Sequence, residues 1–265
     1  GHVRWSSMTD PRFAALESGL QRARCTYRLA RGVRFYEERL FVPAEASLRA
    51  ALAELPLHEQ LACRLGDALY GKASELREEE EEEEEAPASA PAAADSAAHS
   101  GDAAEGGSNV EEAEAQAEAR AKAFAKQRDA ILAEARGLYE QVLAVNPNNS
   151  YAINGISLFT DDESEKRRLL ERAVELDGDN PYALANLASY LAGNDDRRAV
   201  RCLDRALSVN PRLFYARLFK SKALLRMGNL DGALEAAREH LQWRPGDRLA
   251  RRMLEEMERR RAFLR

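Results

Sequence analysis

From residue 209 the chain reads Val209-Asn210-Pro211-Arg212-Leu213-Phe214-Tyr215-Ala216, and the recurrence of this phrase decides the fold. Val145-Asn146-Pro147 leads to Tyr151-Ala152, Leu176-Asp177-Gly178 to Tyr182-Ala183, and Trp243-Arg244-Pro245 to Leu249-Ala250. The markers Pro147, Gly178, Pro211 and Pro245 stand 31, 33 and 34 residues apart. A period of that length indicates an array of repeated supersecondary units, each burying its apolar face on its neighbours.

Within a period the pattern is helix, tight turn, helix, short loop. After Pro211 it predicts a helix from Phe214 to Met227, the turn Gly228-Asn229-Leu230-Asp231, and a second helix from Gly232 to Trp243. Gly228 suits the left-handed backbone that ends a helix. Ala233 lets two helices cross closely, and Pro245 cannot continue the second one. The preceding unit repeats the scheme, with a helix Pro181 to Ala192 and the turn Gly193-Asn194-Asp195. Ala199, Leu203 and Ala206 then recur at helical spacing on one inward face. Upstream, Pro56 closes a helix carrying Ala44, Leu48 and Ala51, and Leu65-Gly66 and Leu69-Tyr70 follow it in register.

These residues resemble the tetratricopeptide-repeat (TPR) family; the matching landmarks are Leu187-Ala188, Gly228, Ala199, Ala206, Ala233, Pro211 and Pro245. The resemblance covers residues 25–247 apart from one acidic segment, and implies an all-α superhelix of about five helix pairs between capping helices. The expected boundaries are 1–24 for an N-terminal segment and cap (a helix from Pro11 to about Arg24) and 25–75 for the first repeat with the first helix of the second. An insertion occupies 76–122, the rest of the array 123–247, and a final cap 248–265. In that last cap Leu249, Met253, Leu254 and Met257 are expected inward. Lys166 and His240 depart from the family pattern, standing where small residues are usual.

The second repeat is interrupted. Its first helix is expected from Glu59 to about Ser74, and its second to end near Val145 with Ala135, Tyr139 and Val142 inward. The stretch Glu85–Gly107 is Ala, Pro, Ser, Gly and acid without apolar periodicity, a composition that favours disorder. From Val110 to Ala144 the residues are strong helix formers and predict one long helix. Its part Glu134–Ala144 also resembles the half-TPR variant of RNA-processing scaffolds.

Charge is unevenly spread. Residues 78–118 carry fifteen acids and no Lys or Arg, which against a net charge of -6 leaves about +9 on the remainder. The run Glu78–Glu85 suits a basic partner, a fold-back onto the chain's own basic surface, or a solvated spacer. Arg248, Arg251, Arg252, Arg259, Arg260 and Arg261 make the C-terminal end basic, but Glu255, Glu256 and Glu258 interleave with them. That pattern disfavours nucleic acid as a partner. Cys25, Cys63 and Cys202 have no metal spacing and read as buried reduced thiols. The chain opens at Gly1 without Met, so an upstream targeting segment stays open; the expected setting is cytoplasmic or nuclear, with no membrane span.

The four His residues are scattered, and no phosphate loop, nucleophile pair or cofactor motif is present. No catalytic role, cofactor or metal is therefore expected. First helices of successive repeats line the inner groove of such an array, which directs attention to Tyr151, Asn154, Leu158, Tyr182, Asn186, Tyr215, Phe219 and Lys222. The Tyr residues suit two roles: gripping a peptide or protein segment, or packing on the preceding repeat with the hydroxyl in water. The family's clamp for chaperone tails needs Lys and Asn at set positions, and only Asn186 matches. The reading is a non-catalytic scaffold; an RNA-processing or ribonucleoprotein assembly factor is the alternative.

Overall fold

The structure, a computed structural model, describes residues 11–56, 58–85, 106–213 and 215–263. Among them the chain forms helices and turns without strands, in five successive pairs and a closing helix. The pairs are α1 (Pro11–Glu37) with α2 (Phe41–Glu54), α3 (Glu59–Glu85) with α4 (Gly106–Val145), and α5 (Ser150–Ser157) with α6 (Glu163–Leu176). They continue with α7 (Pro181–Leu191) and α8 (Asp196–Val209), then α9 (Ala216–Arg226) and α10 (Leu230–Trp243), and α11 (Arg248–Phe263) closes the array.

Local chemistry sets these boundaries. Asn149, Asp162, Asn180, Asp195 and Asn229 each accept a hydrogen bond from a backbone N–H of the first turn they precede. Such caps satisfy donors that a helix start leaves orphaned. Gly193 and Gly228 end α7 and α9 at φ of 85° and 79°, the left-handed conformation that side-chain-bearing residues avoid. Ala173, Ala199, Ala206, Ala233 and Ala237, all on the second helices of their pairs, are fully buried. Polar groups pin the array as well: within the third pair Ser150 donates to the Ala173 carbonyl, and Asn180, capping the next pair, donates to the Ser150 hydroxyl at 2.7 Å.

The interrupted pair packs like the others. Tyr139 of α4 is fully buried between α3 and α5, together with Ala135 and Val142. Asn146 and Asn149 both donate to Glu59 at the start of α3, and Arg49 of α2 makes a bidentate pair with Glu134 of α4.

Several expectations require correction. No break separates a cap ending near Arg24 from the first repeat, because α1 runs unbroken to Glu37 and no proline stands between Pro11 and Pro43. Likewise α3 does not stop near Ser74 but continues through the Glu run to Glu85, since Glu is a good helix former and no Gly or Pro follows Gly71 before Pro87. At the other side α4 begins at Gly106, earlier than Val110. Of the four residues expected inward in the cap, Met257 is buried and Met253 and Leu254 pack partly buried on the same core, but Leu249 is 53% exposed. Cys25 and Cys63 are buried free thiols, whereas Cys202 is only half-buried. Phe214, the stretch 86–105 within the expected disordered segment, and the two ends of the chain lie outside the described residues.

Candidate functional site: the aromatic inner cavity

Six helices converge on a cavity of about 380 Å³ on the inner face of the array. One stripe of α3 supplies Asp67, Tyr70, Ser74 and Glu78 at successive turns. The α5 end supplies Asn154 and Leu158, α7 supplies Tyr182, Asn186 and Ser189, and the start of α9 supplies Tyr215 and Phe219. The corner between α1 and α2 completes the wall with Tyr36, Arg39 and Phe41.

Six of the eight residues singled out in the sequence thus meet around one space: Asn154, Leu158, Tyr182, Asn186, Tyr215 and Phe219. Tyr151 and Lys222 do not line it. Tyr151 turns instead toward Arg64, whose guanidinium lies 4.6 Å from the Tyr151 ring centre and 4.3 Å from that of Tyr182. Packing with the hydroxyl in water does not describe Tyr182, which is only 5% exposed. Asn186 donates to the Asn154 side chain at 2.9 Å, so the one residue matching the chaperone-tail clamp is already engaged with the neighbouring repeat.

Below the cavity lies a buried polar network. Arg64 donates to Asp67 at 2.9 Å, and the Tyr139 hydroxyl donates to the other Asp67 oxygen at 2.7 Å. Burial pushes the Asp67 carboxyl above its ordinary range, outweighing the opposing pull of Arg64 and Tyr139. Burial likewise pushes the Tyr182 hydroxyl up to about 12 and raises those of Tyr36, Tyr70 and Tyr215. At neutral pH these phenols therefore stay uncharged and can donate hydrogen bonds.

The α1–α2 corner reaches the far side of the array. Tyr36 packs on Phe41 and on Tyr182, with ring centres 5.6 and 6.0 Å apart. Asn210, before α9, donates to Glu37 at 3.1 Å although 173 residues separate them. Arg39 sits at this corner with φ of 59°, pairs with Glu75 and Glu78 of α3, and lies 6.0 Å from the Phe41 ring centre.

Sequence reasoning did not select Tyr36, Phe41, Asp67 or Tyr70. Only Asp67 carried a usable signal: an acid three residues after Arg64, the spacing at which two helical side chains meet on one face. At the basic end, Arg238 pairs with Glu258 and Arg261 with Asp231, so part of that charge is internally matched. Among the described residues no group of His, Cys, Asp and Glu is arranged to hold a metal ion, and no helix is long and apolar enough to cross a membrane.

No protein-family model matches the chain, and neither does any curated protein. Solved structures similar to it include MamA, at 21% identity over 52% of this chain and 84% of that one, with a TM-score of 0.44. TTC0263, a thermophilic TPR protein of Thermus thermophilus, is 14% identical over 88% of this chain and 98% of its own, with a TM-score of 0.49. YrrB, described as a TPR protein with an unusual peptide-binding site, is 13% identical over 84% and 88% of the two chains, with a TM-score of 0.40. The chain's own helix pairs, turn glycines and repeat period make its architecture TPR-like.

Proposed function

We propose that this chain is a non-catalytic scaffold that holds a peptide or protein segment in its inner cavity. The observation that carries the reading is the cavity itself, about 380 Å³ of space with walls of Tyr36, Phe41, Tyr70, Leu158 and Phe219 contributed by separate helices. Aromatic side chains offer large contact area at small entropic cost, which is why they dominate binding hot spots. The Arg64–Asp67–Tyr139 network and the Asn154–Asn186 bond hold the surrounding helices in register, so a ligand meets walls that are already ordered. The polar edges from Asn186, Ser189 and the tyrosine hydroxyls suit the backbone groups of a bound segment. The unpaired cysteines fit action in a reducing cytoplasmic or nuclear setting.

A random peptide library displayed against the immobilised full chain tests this. The expected result is enrichment of peptides whose affinity, measured by fluorescence anisotropy, falls about tenfold on Phe219→Ala or Leu158→Ala. Helical circular dichroism of both variants should stay unchanged. Absence of enrichment, or binding indifferent to both substitutions, overturns the proposal.

A further inference from the structure

We infer that the segment taken up by the inner cavity is cationic, with an arginine or lysine side chain inserted among its aromatic rings. This rests on the scaffold reading above and names the chemistry of its ligand. Three observations carry it. First, the wall is aromatic on several sides, with Tyr36, Phe41, Tyr70, Tyr215 and Phe219 around one space. Rings so arranged attract a cation to their faces, and more strongly where water is excluded. Second, the chain already uses this chemistry on itself. The Arg64 guanidinium lies between the Tyr151 and Tyr182 rings, and Arg39 reaches over Phe41 at the cavity edge. Third, the rim is continuous with the most acidic stretch of the chain. Glu78 lines the cavity, and α3 continues from it through seven further glutamates to Glu85.

The charges facing the cavity from each element are accounted for. Asp67 is matched by Arg64 at 2.9 Å, and Arg39 is matched by Glu78 at 3.1 Å with Glu75 beside it. Arg77 and Arg244 are the other nearby cations, and the sequence after Glu78 goes on with seven more glutamates and no Lys or Arg as far as Glu118. The segment that continues from this edge is therefore strongly negative in sequence, although the rest of the chain is basic. A cationic segment approaching the array is drawn to this edge and repelled elsewhere. Arg39 is then a competitor of the ligand: it holds the rim carboxylate that an incoming cation would take.

Three fluorescein-labelled nonapeptides built from Gly, Leu and Arg, with Arg replaced by Gln or by Glu in the second and third, test the inference against the full chain by anisotropy. At about 50 mM salt the Arg peptide should bind about tenfold tighter than the other two and weaken toward about 500 mM. Phe219→Ala and Glu78→Gln should each weaken it several-fold, while Arg39→Ala should strengthen it. Glu78 is mostly exposed, so its substitution leaves the fold intact. If the Gln or Glu peptide binds equally well and depends on Phe219, the inference falls and the scaffold reading stands. If the Arg peptide ignores Phe219→Ala but is lost on replacing Glu79–Glu85 by Gln, attraction is electrostatic only and the inference also falls. Failure of all three peptides to bind overturns it too, and the library experiment then decides the scaffold reading separately.

Discussion

The Tyr139 hydroxyl donates a hydrogen bond to the Asp67 carboxylate at 2.7 Å, across 72 residues of sequence. This contact fastens α3 to α4, the two helices of the interrupted pair, at the level of the cavity floor. Both residues are buried, so water does not replace a missing donor. Tyr139→Phe is expected to destabilise the protein by about 1–3 kcal/mol, the cost of leaving a buried carboxylate short of a partner. Urea unfolding followed by circular dichroism measures it. A Tyr139→Phe effect that persists in an Asp67→Asn background would show that the hydroxyl matters for some other reason.

The Tyr139 ring also leaves no room beside two glycines. A Cβ placed at Gly66 would lie 2.6 Å from the ring, and one at Gly155 would lie 2.4 Å from it. The neighbours in each case are ring carbons in a fully buried side chain, which cannot swing aside. Gly155→Ala is expected to cost about 1–3 kcal/mol, despite alanine's better helix propensity. In a Tyr139→Leu background the penalty should shrink, because the obstructing atoms are gone. Equal penalties in both backgrounds would place the strain elsewhere.

These particulars show where sequence is legible. The repeat period, the stop residues Gly228 and Pro211, and the inward alanines are local signals, because each reports the conformation or crossing of its own helix pair. Six groove candidates fell around one cavity for the same reason: Tyr182 and Asn186, or Tyr215 and Phe219, share a helix face by spacing alone. Tyr36 and Phe41 were not legible, since their arrival opposite Tyr182 depends on how four successive pairs rotate relative to each other. No residue pattern within one repeat encodes that sum. The overlong α1 and α3 had a different cause. Family boundaries were expected at Arg24 and Ser74, but neither site carries a residue that stops a helix.

Asp196 and Arg226 give a contact between repeats whose strength depends on pH. Arg226 makes three hydrogen bonds to the two Asp196 oxygens, at 2.7 to 3.0 Å, and the Gly193 N–H adds a fourth from the α7–α8 turn. Arg226 beside it holds the Asp196 carboxyl below its ordinary value of about 3.8. A lowered carboxyl contributes stability at pH values above the ordinary one, and that contribution is lost as pH falls through the lowered value. Asp196→Asn should therefore reduce stability at pH 7 by up to about 1 kcal/mol, given the solvent around Arg226. The gap between variant and parent should close in acid, below the lowered value. A gap unchanged from pH 7 into acid would assign the effect to the neutral hydrogen bonds.

Arg64 and Asp67 carry the opposite sign. Burial raises the Asp67 carboxyl above its ordinary value. A raised carboxyl contributes stability in acid, and loses it as pH rises through the folded-state value. At neutral pH the ionised group therefore depends on Arg64 and Tyr139 for compensation. Arg64→Met keeps much of the side-chain volume but removes the charge, and is expected to cost about 3–5 kcal/mol at pH 7. The deficit should narrow as pH falls, because a protonated Asp67 needs no cation, and Asp67→Asn should restore part of the loss. Arg64 also fills the space between Tyr151 and Tyr182, so removing it takes away two ring contacts. Those contacts do not titrate in this range. Urea midpoints at pH 5 and pH 7 for the single and double variants separate the two contributions: a narrowing deficit belongs to Asp67, and a constant remainder to the rings.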